Sequence, residues 1–198
     1  MSNHANQISS KVLLTQPGTD GLWTFVFIDM AIFLLIFFTF MAERMGNLEL
    51  YSASQLRLNE IFGLANTLIL LTSSWMVVEA VHAARARKAK KVSANLTLAL
   101  ILGCAFGVSK LIEYYSKFTN GITPATNPFF SYYFFMTFVH FLHVIAGMIF
   151  IFHYRNTAKS CTDSSRYLTG LENVGLFWHY VDVLWIFIFP VLYLVGRQ

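Results

Sequence analysis

Ionisable side chains that could carry acid–base or metal chemistry lie inside long apolar stretches of this sequence. They are Asp29, Glu79, Lys110, Glu113, His140, His143, His179 and Asp182. An ionisable group at membrane depth is unfavourable by at least a few kcal/mol unless it is neutralised or paired. We therefore expect these side chains to face protein, either a neighbouring helix or a companion chain, and not acyl tails.

Two of these residues, His179 and Asp182, are three apart and would share one face of a helix. At that spacing a carboxylate can accept the imidazole proton and fix its tautomer, so we predict a hydrogen bond between them. Asp29 and Glu79 fall at a similar depth in their own apolar stretches. The group is either a proton relay or a structural network that holds the last helix in place.

A second pair, His140 and His143, has the spacing that can place two imidazoles on one metal ion. A carboxylate-bridged metal site in a helical bundle uses paired motifs on several helices, and the sequence has no second HxxH or ExxH motif. We expect no metal and no catalytic residue in this chain. Each imidazole should instead be hydrogen-bonded to a backbone carbonyl or to a neighbouring helix.

The composition indicates a membrane protein, because 56% of the 198 residues are hydrophobic and only 12% are charged. The net charge of +4 does not indicate a nucleic-acid partner. The basic residues concentrate in one short run between two apolar stretches, at 85, 87, 88, 90 and 91. Such a run is typical of a cytoplasmic loop that contacts anionic phospholipid headgroups.

Five apolar stretches are long enough to cross a hydrocarbon core of about 30 Å, which needs about 20 helical residues. They run over 21–43, 61–84, 93–116, 129–154 and 174–196. Unpaired backbone groups are too costly in hydrocarbon, so the spans must be helical and the fold class is an all-α bundle of five transmembrane helices.

The distribution of Lys and Arg predicts the orientation of this bundle. The N-terminal segment and the second and fourth loops hold nine of these residues, against four in the remaining connections and the C-terminal end. We therefore expect residues 1–20 to form a cytoplasmic N-terminal segment, 21–198 to form the transmembrane domain, and the C-terminus to be external.

Small and hydrogen-bonding residues predict which helix faces pack together. Gly103 and Gly107 form a GxxxG motif, and Asn66 belongs to a set of polar residues on the second span that includes Thr67, Ser73 and Ser74. Farther along the third span, Lys110 with Glu113, and Glu113 with Lys117, have helical-neighbour spacings. We expect both pairs to form near the external surface.

Four sequence motifs resemble subunit III of the haem-copper oxidase superfamily. The segment FWHYVDVLW at 177–185 is similar to the WHFVDVVW signature in the last helix of that subunit in cytochrome c and quinol oxidases. Three more motifs follow the order of the family: NT with LLTSS at 66–74, IEYY at 112–115 and HFLHVIAG at 140–147. Together they cover the chain from about residue 21 to its C-terminus.

This resemblance implies a non-catalytic, multi-pass subunit of the bacterial cytoplasmic (inner) membrane. It would pack against catalytic subunit I, bind phospholipid and support proton uptake, while haem with copper or iron stays in the partner. Asp29 lies where the family usually has a buried glutamate that reacts with carbodiimides. The first two helices of seven-helix members are absent, as in bacterial five-helix forms.

Two questions stay open at this point. The run at 66–75 looks most like the accessory subunit of nitric oxide reductases, so the complex could reduce oxygen or nitric oxide. From a different class, a small proton-coupled transporter or channel could use Asp29, Glu79, His179 and Asp182. Such transporters often have broken helices, whereas Pro190 is the only proline within a span.

Overall fold

The computed structural model describes residues 18–161 and 164–195, and helices make up almost all of this part of the chain. The elements are α1 (Asp20–Gly46), α2 (Leu48–Gln55), α3 (Glu60–Arg85), α4 (Ala89–Thr119), α5 (Pro128–Cys161), α6 (Ser165–Phe189) and a closing π-helical turn (Pro190–Leu194). The five long helices have the length and hydropathy of membrane spans, which confirms the predicted all-α bundle.

Local sequence signals set where several helices begin. The Asn59 side chain caps α3 by accepting the backbone N–H groups of Ile61 and Phe62, at 3.0 and 3.4 Å. Pro128 occupies the first position of α5, where the proline ring fits the helical backbone and the missing N–H is not needed. Tight connections follow from these signals, so neighbouring spans run antiparallel.

The short helix α2 was not predicted, because eight residues of mixed polarity show no span-like pattern. Its Tyr51 side chain is fully buried against the rings of Phe40 and Phe129. The Tyr51 hydroxyl donates to the Glu43 carboxylate at 3.0 Å. Burial, together with that carboxylate, raises the pKa of the Tyr51 hydroxyl, so it stays a protonated donor.

The last span begins earlier than the predicted boundary at 174, because α6 already starts at Ser165. The extra polar turns extend past the apolar stretch, and there Arg85 of α3 forms an ion pair with Glu172. Residues 1–17 of the predicted N-terminal segment and the predicted end at 196 lie outside the described residues.

The core is a four-helix arrangement of α3, α4, α5 and α6, and α1 lies at its edge in contact with α5 and α6. Polar contacts cross between the helices, as the sequence predicted. Trp185 donates to the Thr67 hydroxyl at 3.0 Å, and Ser73 donates to the Ala99 carbonyl at 3.0 Å. The first contact holds α6, which is the most buried span, against α3, and the second joins α3 to α4.

Three glycines make room for large side chains in this core. A Cβ on Gly103 would meet Met148 and the Trp178 ring at 3.0 to 3.3 Å, whereas Gly107 faces Phe141 at an ordinary 3.5 Å. Gly147 is tighter, because a Cβ there would lie 2.6 and 2.8 Å from carbons of the Trp178 ring. Trp178 is fully buried and has little freedom to move.

We therefore expect Gly147→Ala to destabilise the bundle by about 1–3 kcal/mol, since it overpacks the site of Trp178. Thermal unfolding of the purified protein in mild detergent measures this effect. Gly107→Ala is the matched control, because its new methyl group meets only van der Waals contact. Equal unfolding temperatures for the two variants would contradict the proposed overpacking.

Candidate functional site

The first polar site joins three helices around Asp29 of α1. Tyr180 of α6 donates its hydroxyl to Asp29 Oδ2 at 2.5 Å, and His143 Nε2 of α5 lies 3.5 Å from the same oxygen. Asp29 and His143 are each about one-seventh exposed, at 14% and 15%. We call these three residues the Asp29 cluster.

The hydrogen bonds of His143 determine what the Asp29 cluster can do chemically. Its Nδ1 lies 2.8 Å from the Val139 carbonyl, which can only accept, so Nδ1 carries a proton. This contact confirms the prediction of a backbone hydrogen bond for His143. Nε2 then faces a carboxylate oxygen that already accepts from Tyr180, and a bond between them requires one more proton.

A cavity of about 450 Å³ opens beside the Asp29 cluster, between α1 and the helices α5 and α6. His143 supplies its polar wall, and apolar side chains that include Phe25, Phe150 and Phe177 supply the rest. The rings of Phe25 and Phe177 also pack on the His143 imidazole, with centroids 6.2 and 6.4 Å away. An apolar molecule in the bilayer can thus reach the edge of the cluster.

The predicted hydrogen bond between His179 and Asp182 is wrong. His179 Nδ1 instead contacts the Ser74 hydroxyl of α3. Asp182 is buried, and its carboxylate lies near the same Ser74 hydroxyl without meeting the geometry of an ordinary hydrogen bond. Spacing by three residues permits the pair but does not enforce it, and here α3 offers His179 a hydroxyl from across the helix interface.

The expected hydrogen bond of His140 is also wrong. This imidazole is fully buried, and among residues 18–161 and 164–195 neither ring nitrogen has a hydrogen-bond partner. It packs against the rings of Phe106 and Trp185, at 5.8 and 5.2 Å. His143 turns toward Asp29 and Phe25 of α1, whereas His140 packs on Phe106 of α4, although both imidazoles also touch α6. The described residues contain no group of three His, Cys, Asp or Glu side chains that could hold a metal ion.

Asn66 lies in the same buried layer as His140, on the face of α3 that packs into the core. Both polar atoms of its side-chain amide lack a hydrogen-bond partner within the described ranges. Its neighbour Thr67 makes the contact across the helices instead, by accepting from Trp185. Asn66 therefore contributes packing volume here, while Thr67 contributes the hydrogen bond.

A second polar site lies on α4, where Lys110 and Glu113 form the predicted ion pair. Lys110 Nζ donates to Glu113 Oε2 at 2.7 Å, and the Tyr193 hydroxyl donates to Glu113 Oε1 at 2.6 Å. Lys110 is only 1% exposed and Glu113 only 7%, so the pair is buried and does not lie at the external surface as expected. Four aromatic rings stand 5.2 to 5.9 Å from the ammonium: Tyr114, Tyr133, Trp185 and Tyr193.

The other predicted pair, Glu113 with Lys117, does not form. The Lys117 ammonium donates a hydrogen bond to the backbone carbonyl of Arg57, which lies in the connection between α2 and α3. Each oxygen of the Glu113 carboxylate already accepts a hydrogen bond, one from Lys110 and the other from Tyr193. Lys117 therefore fixes a connecting segment instead of joining the buried pair.

Glu79 does not face the interior of this chain. Its side chain is 47% exposed, and its ion-pair contact is His82 Nδ1, one helical turn away at 3.7 Å. The four groups predicted to share one depth thus do not form one site. The sequence did not predict Tyr180 as the partner of Asp29 or Ser74 as the partner of His179. The available signal was that both residues carry a hydroxyl group inside an otherwise apolar span.

Comparison with known proteins assigns a class to this fold. The sequence model of cytochrome c oxidase subunit III matches residues 9–197. The chain is 28% identical over 180 residues to cytochrome bo(3) ubiquinol oxidase subunit 3 of Buchnera aphidicola, covering 89% of this chain and 85% of that protein. It is 26% identical over 200 residues to probable quinol oxidase subunit 3 of Staphylococcus aureus, covering 99% and 98%.

A third relative is longer than this chain. Probable cytochrome c oxidase subunit 3 of Rickettsia prowazekii is 32% identical over 136 residues, which are 66% of this chain and 47% of that protein. The chain thus spans about half the length of the Rickettsia relative and most of the length of the other two.

Five apolar spans and relatives in bacteria define a multi-pass protein of the bacterial inner membrane. The chain belongs to the cytochrome c oxidase subunit III family. It is an accessory subunit of a respiratory haem-copper oxidase, a complex that also contains a catalytic subunit.

The buried pair on α4 gives a prediction about stability. Lys110→Met should destabilise the protein by about 3–5 kcal/mol, since it leaves the Glu113 carboxylate buried without its cation. Adding Glu113→Leu should recover much of that loss, because the double variant buries no charge. Thermal unfolding of both variants in mild detergent measures the difference. If the stability lost in the double variant equals the sum of the losses in Lys110→Met and Glu113→Leu alone, this coupling is ruled out.

The contact of His179 gives a second prediction. Ser74→Ala should cost about 0.5–1.5 kcal/mol, because it removes the hydrogen bond between α3 and α6. Thr72→Ala is the control, since the Thr72 hydroxyl bonds only to the Leu68 carbonyl of its own helix. The chemical shifts of the His179 ring report on the contact directly. They should change with Ser74→Ala and stay constant with Thr72→Ala, and shifts that are unaffected by Ser74→Ala would contradict the contact.

Proposed function

We propose that this chain packs directly against catalytic subunit I of a bacterial terminal oxidase, stabilises it, binds phospholipid and supports proton uptake. Haem with copper or iron belongs to the catalytic subunit, and this chain binds neither. The engagement of its buried histidines supports that division, because His143 and His179 bond to Val139 and Ser74, and His140 is enclosed by aromatic rings.

The Asp29 cluster is the observation that carries the role in proton uptake. A carboxylate, an imidazole and a phenol from three helices meet around one oxygen atom. A hydrogen bond between His143 Nε2 and Asp29 Oδ2 would need one added proton. It lies at the edge of the bundle beside an open cavity, not in the sealed core. A proton held there remains within reach of a neighbouring subunit.

Two features of the surface support phospholipid as a partner. The first helix is apolar and mostly exposed, so it offers acyl tails a long contact, for example at Phe27, Leu34 and Phe38. Near the basic loops, a cavity of about 170 Å³ is lined by Ser93, Asn156 and the cations Arg155 and Lys159. Two cations beside an apolar span suit an anionic headgroup.

The matched relatives favour oxygen over nitric oxide as the substrate of the complex, because they are named as quinol or cytochrome c oxidase subunits. The geometry disfavours a proton-coupled transporter. Asp29, Glu79 and His179 each have a different partner. A transport path would need these groups in one connected chain.

Purification of the tagged chain from native membranes in mild detergent tests the assignment. A haem-containing catalytic subunit should co-purify, and the complex should consume oxygen with quinol or reduced cytochrome c as the donor. Consumption of nitric oxide in place of oxygen would move the chain to the denitrifying branch. A chain that purifies alone would overturn the proposal.

Within the assembled complex, Asp29→Asn should lower the rate of turnover-linked proton uptake several-fold, because an amide cannot hold the additional proton. The yield of the complex and its haem content should not change. Asp29→Glu should recover the rate, and Asp182→Asn is the control acid outside the cluster. Proton uptake after a single turnover, followed with a pH-sensitive dye, gives the measurement.

A hydrophobic carbodiimide provides an independent chemical test of the same site. It should reach Asp29 through the adjacent cavity, and mass spectrometry should locate the adduct on α1. The adduct should disappear in Asp29→Asn. Modification of other carboxylates with Asp29 left intact would contradict the accessibility of the cluster.

A further inference from the structure

One buried acidic group, Asp182 of α6, belongs to neither of the two polar sites described above. Its side chain is only 4% exposed. Within residues 18–161 and 164–195 it forms no ion pair, and its oxygens accept no hydrogen bond of ordinary geometry. A carboxylate anion enclosed in this way, with no cation beside it, is much less favourable than the neutral acid. Asp182 is therefore suited to hold a proton.

The Ser74 hydroxyl of α3 is shared by this carboxylate and an imidazole. It contacts His179 Nδ1, and the Asp182 carboxylate lies near the same hydroxyl. A hydroxyl group is both a donor and an acceptor, so it can receive a proton from one neighbour while it passes its own proton to another. We call these three residues the Ser74 bridge.

A cavity between α3 and α6 extends from the end of α3 to His179. It has a volume of about 190 Å³, and its other polar lining residues are His82, Arg85 and Glu172. Glu172 precedes His179 by seven residues, which is about 10 Å along the helix. Because a water molecule takes up about 30 Å³ in the liquid, the cavity has room for several waters that have polar partners.

The titratable groups around the Ser74 bridge leave Asp182 without a counter-ion. They line the cavity or contact Trp185, one turn beyond Asp182, and they are His82 and Arg85 of α3, Lys110 of α4, His140 of α5 and Glu172 of α6. Both permanent cations have carboxylate partners of their own, Arg85 in Glu172 and Lys110 in Glu113. A small positive ion is thus the occupant that suits Asp182.

A proton suits this position better than a metal ion does. Magnesium and calcium ions take six or more oxygen ligands, whereas the Ser74 bridge offers one carboxylate and one hydroxyl. In the described part of the chain, no group of three His, Cys, Asp or Glu side chains could hold a metal ion. A proton needs only one carboxylate oxygen.

We propose that Asp182 is a proton-binding site that exchanges its proton with the α3–α6 cavity through the Ser74 bridge. A proton from water in the cavity binds Nε2 of His179. The imidazolium gives its Nδ1 proton to the Ser74 oxygen, while the Ser74 hydroxyl gives its own proton to Asp182. The imidazole ends neutral, the serine is again a hydroxyl, and the carboxylate becomes the neutral acid.

The bridge ends at Asp182. Within the described ranges, no hydrogen bond of ordinary geometry leads onward from this carboxylate. Its proton therefore exchanges with the cavity and does not enter turnover-linked uptake at the Asp29 cluster, with which the bridge shares no residue. The site consequently does not depend on the proposed function or on a particular partner chain.

Infrared spectroscopy tests the proton-binding site. The full chain is used with whatever subunits it retains from native membranes. The carbonyl stretch of a neutral carboxylic acid is separate from the bands of a carboxylate, and the difference between wild type and Asp182→Asn isolates the signal of Asp182. At neutral pH this difference should show the neutral acid. A difference that shows only carboxylate bands would overturn the proposal.

Transfer of the same samples to heavy water tests the route, because deuterium lowers the frequency of the acid stretch. Ser74→Ala and His179→Gln should each slow this exchange several-fold, since each interrupts the bridge. Ser74→Thr keeps the hydroxyl and should restore the rate. Thr72→Ala is the matched control and should exchange like wild type, because the Thr72 hydroxyl bonds to the Leu68 carbonyl of its own helix.

A purely structural role for Ser74 has the opposite signature. Loss of a packing contact between α3 and α6 would loosen the interface, admit water and speed the exchange at Asp182. Exchange in Ser74→Ala that is equal to wild type, or faster, would overturn the route through the bridge.

Discussion

The whole structure depends on the inability of hydrocarbon to hydrate polar groups. Backbone groups satisfy this constraint by forming helices, and the side chains must then find partners within the protein. In this chain several of these partners come from other helices. Thr67 with Trp185, Ser74 with His179 and Asp29 with Tyr180 each join two spans, so the polar groups decide which helix faces meet.

The ionisable groups satisfy the same constraint to different degrees. Lys110 and Glu113 neutralise each other in the core, where Tyr193 and aromatic rings complete their surroundings. The Asp29 cluster is only partly enclosed. Within the described residues, the ion-pair contact of Glu79 is the His82 imidazole at 3.7 Å. This gradation suits an accessory subunit, because the buried Lys110–Glu113 pair stabilises the fold. The partly enclosed Asp29 cluster and the exposed Glu79 remain available for contacts within the complex.

These observations also separate an accessory role from independent transport. A transporter needs its titratable groups connected across the membrane, whereas here Asp29, Glu79 and His179 contact different partners. The family to which the chain belongs is defined by oxidase subunits, and the geometry agrees with that membership. The chain is accordingly an accessory subunit of a respiratory haem-copper oxidase.

The sequence by itself determined the class of the protein: five spans within a few residues at most ends, the Lys110–Glu113 pair, and the motifs of its family. Those features depend on local hydropathy, on spacing within one helix or on short segments. Only the tertiary structure decided that His179 bonds to Ser74, that Asp29 meets Tyr180 and His143, and that α2 folds over Phe40. Their partners are distant in the sequence, and the angles and rotations at which helices pack are set by many side chains at once.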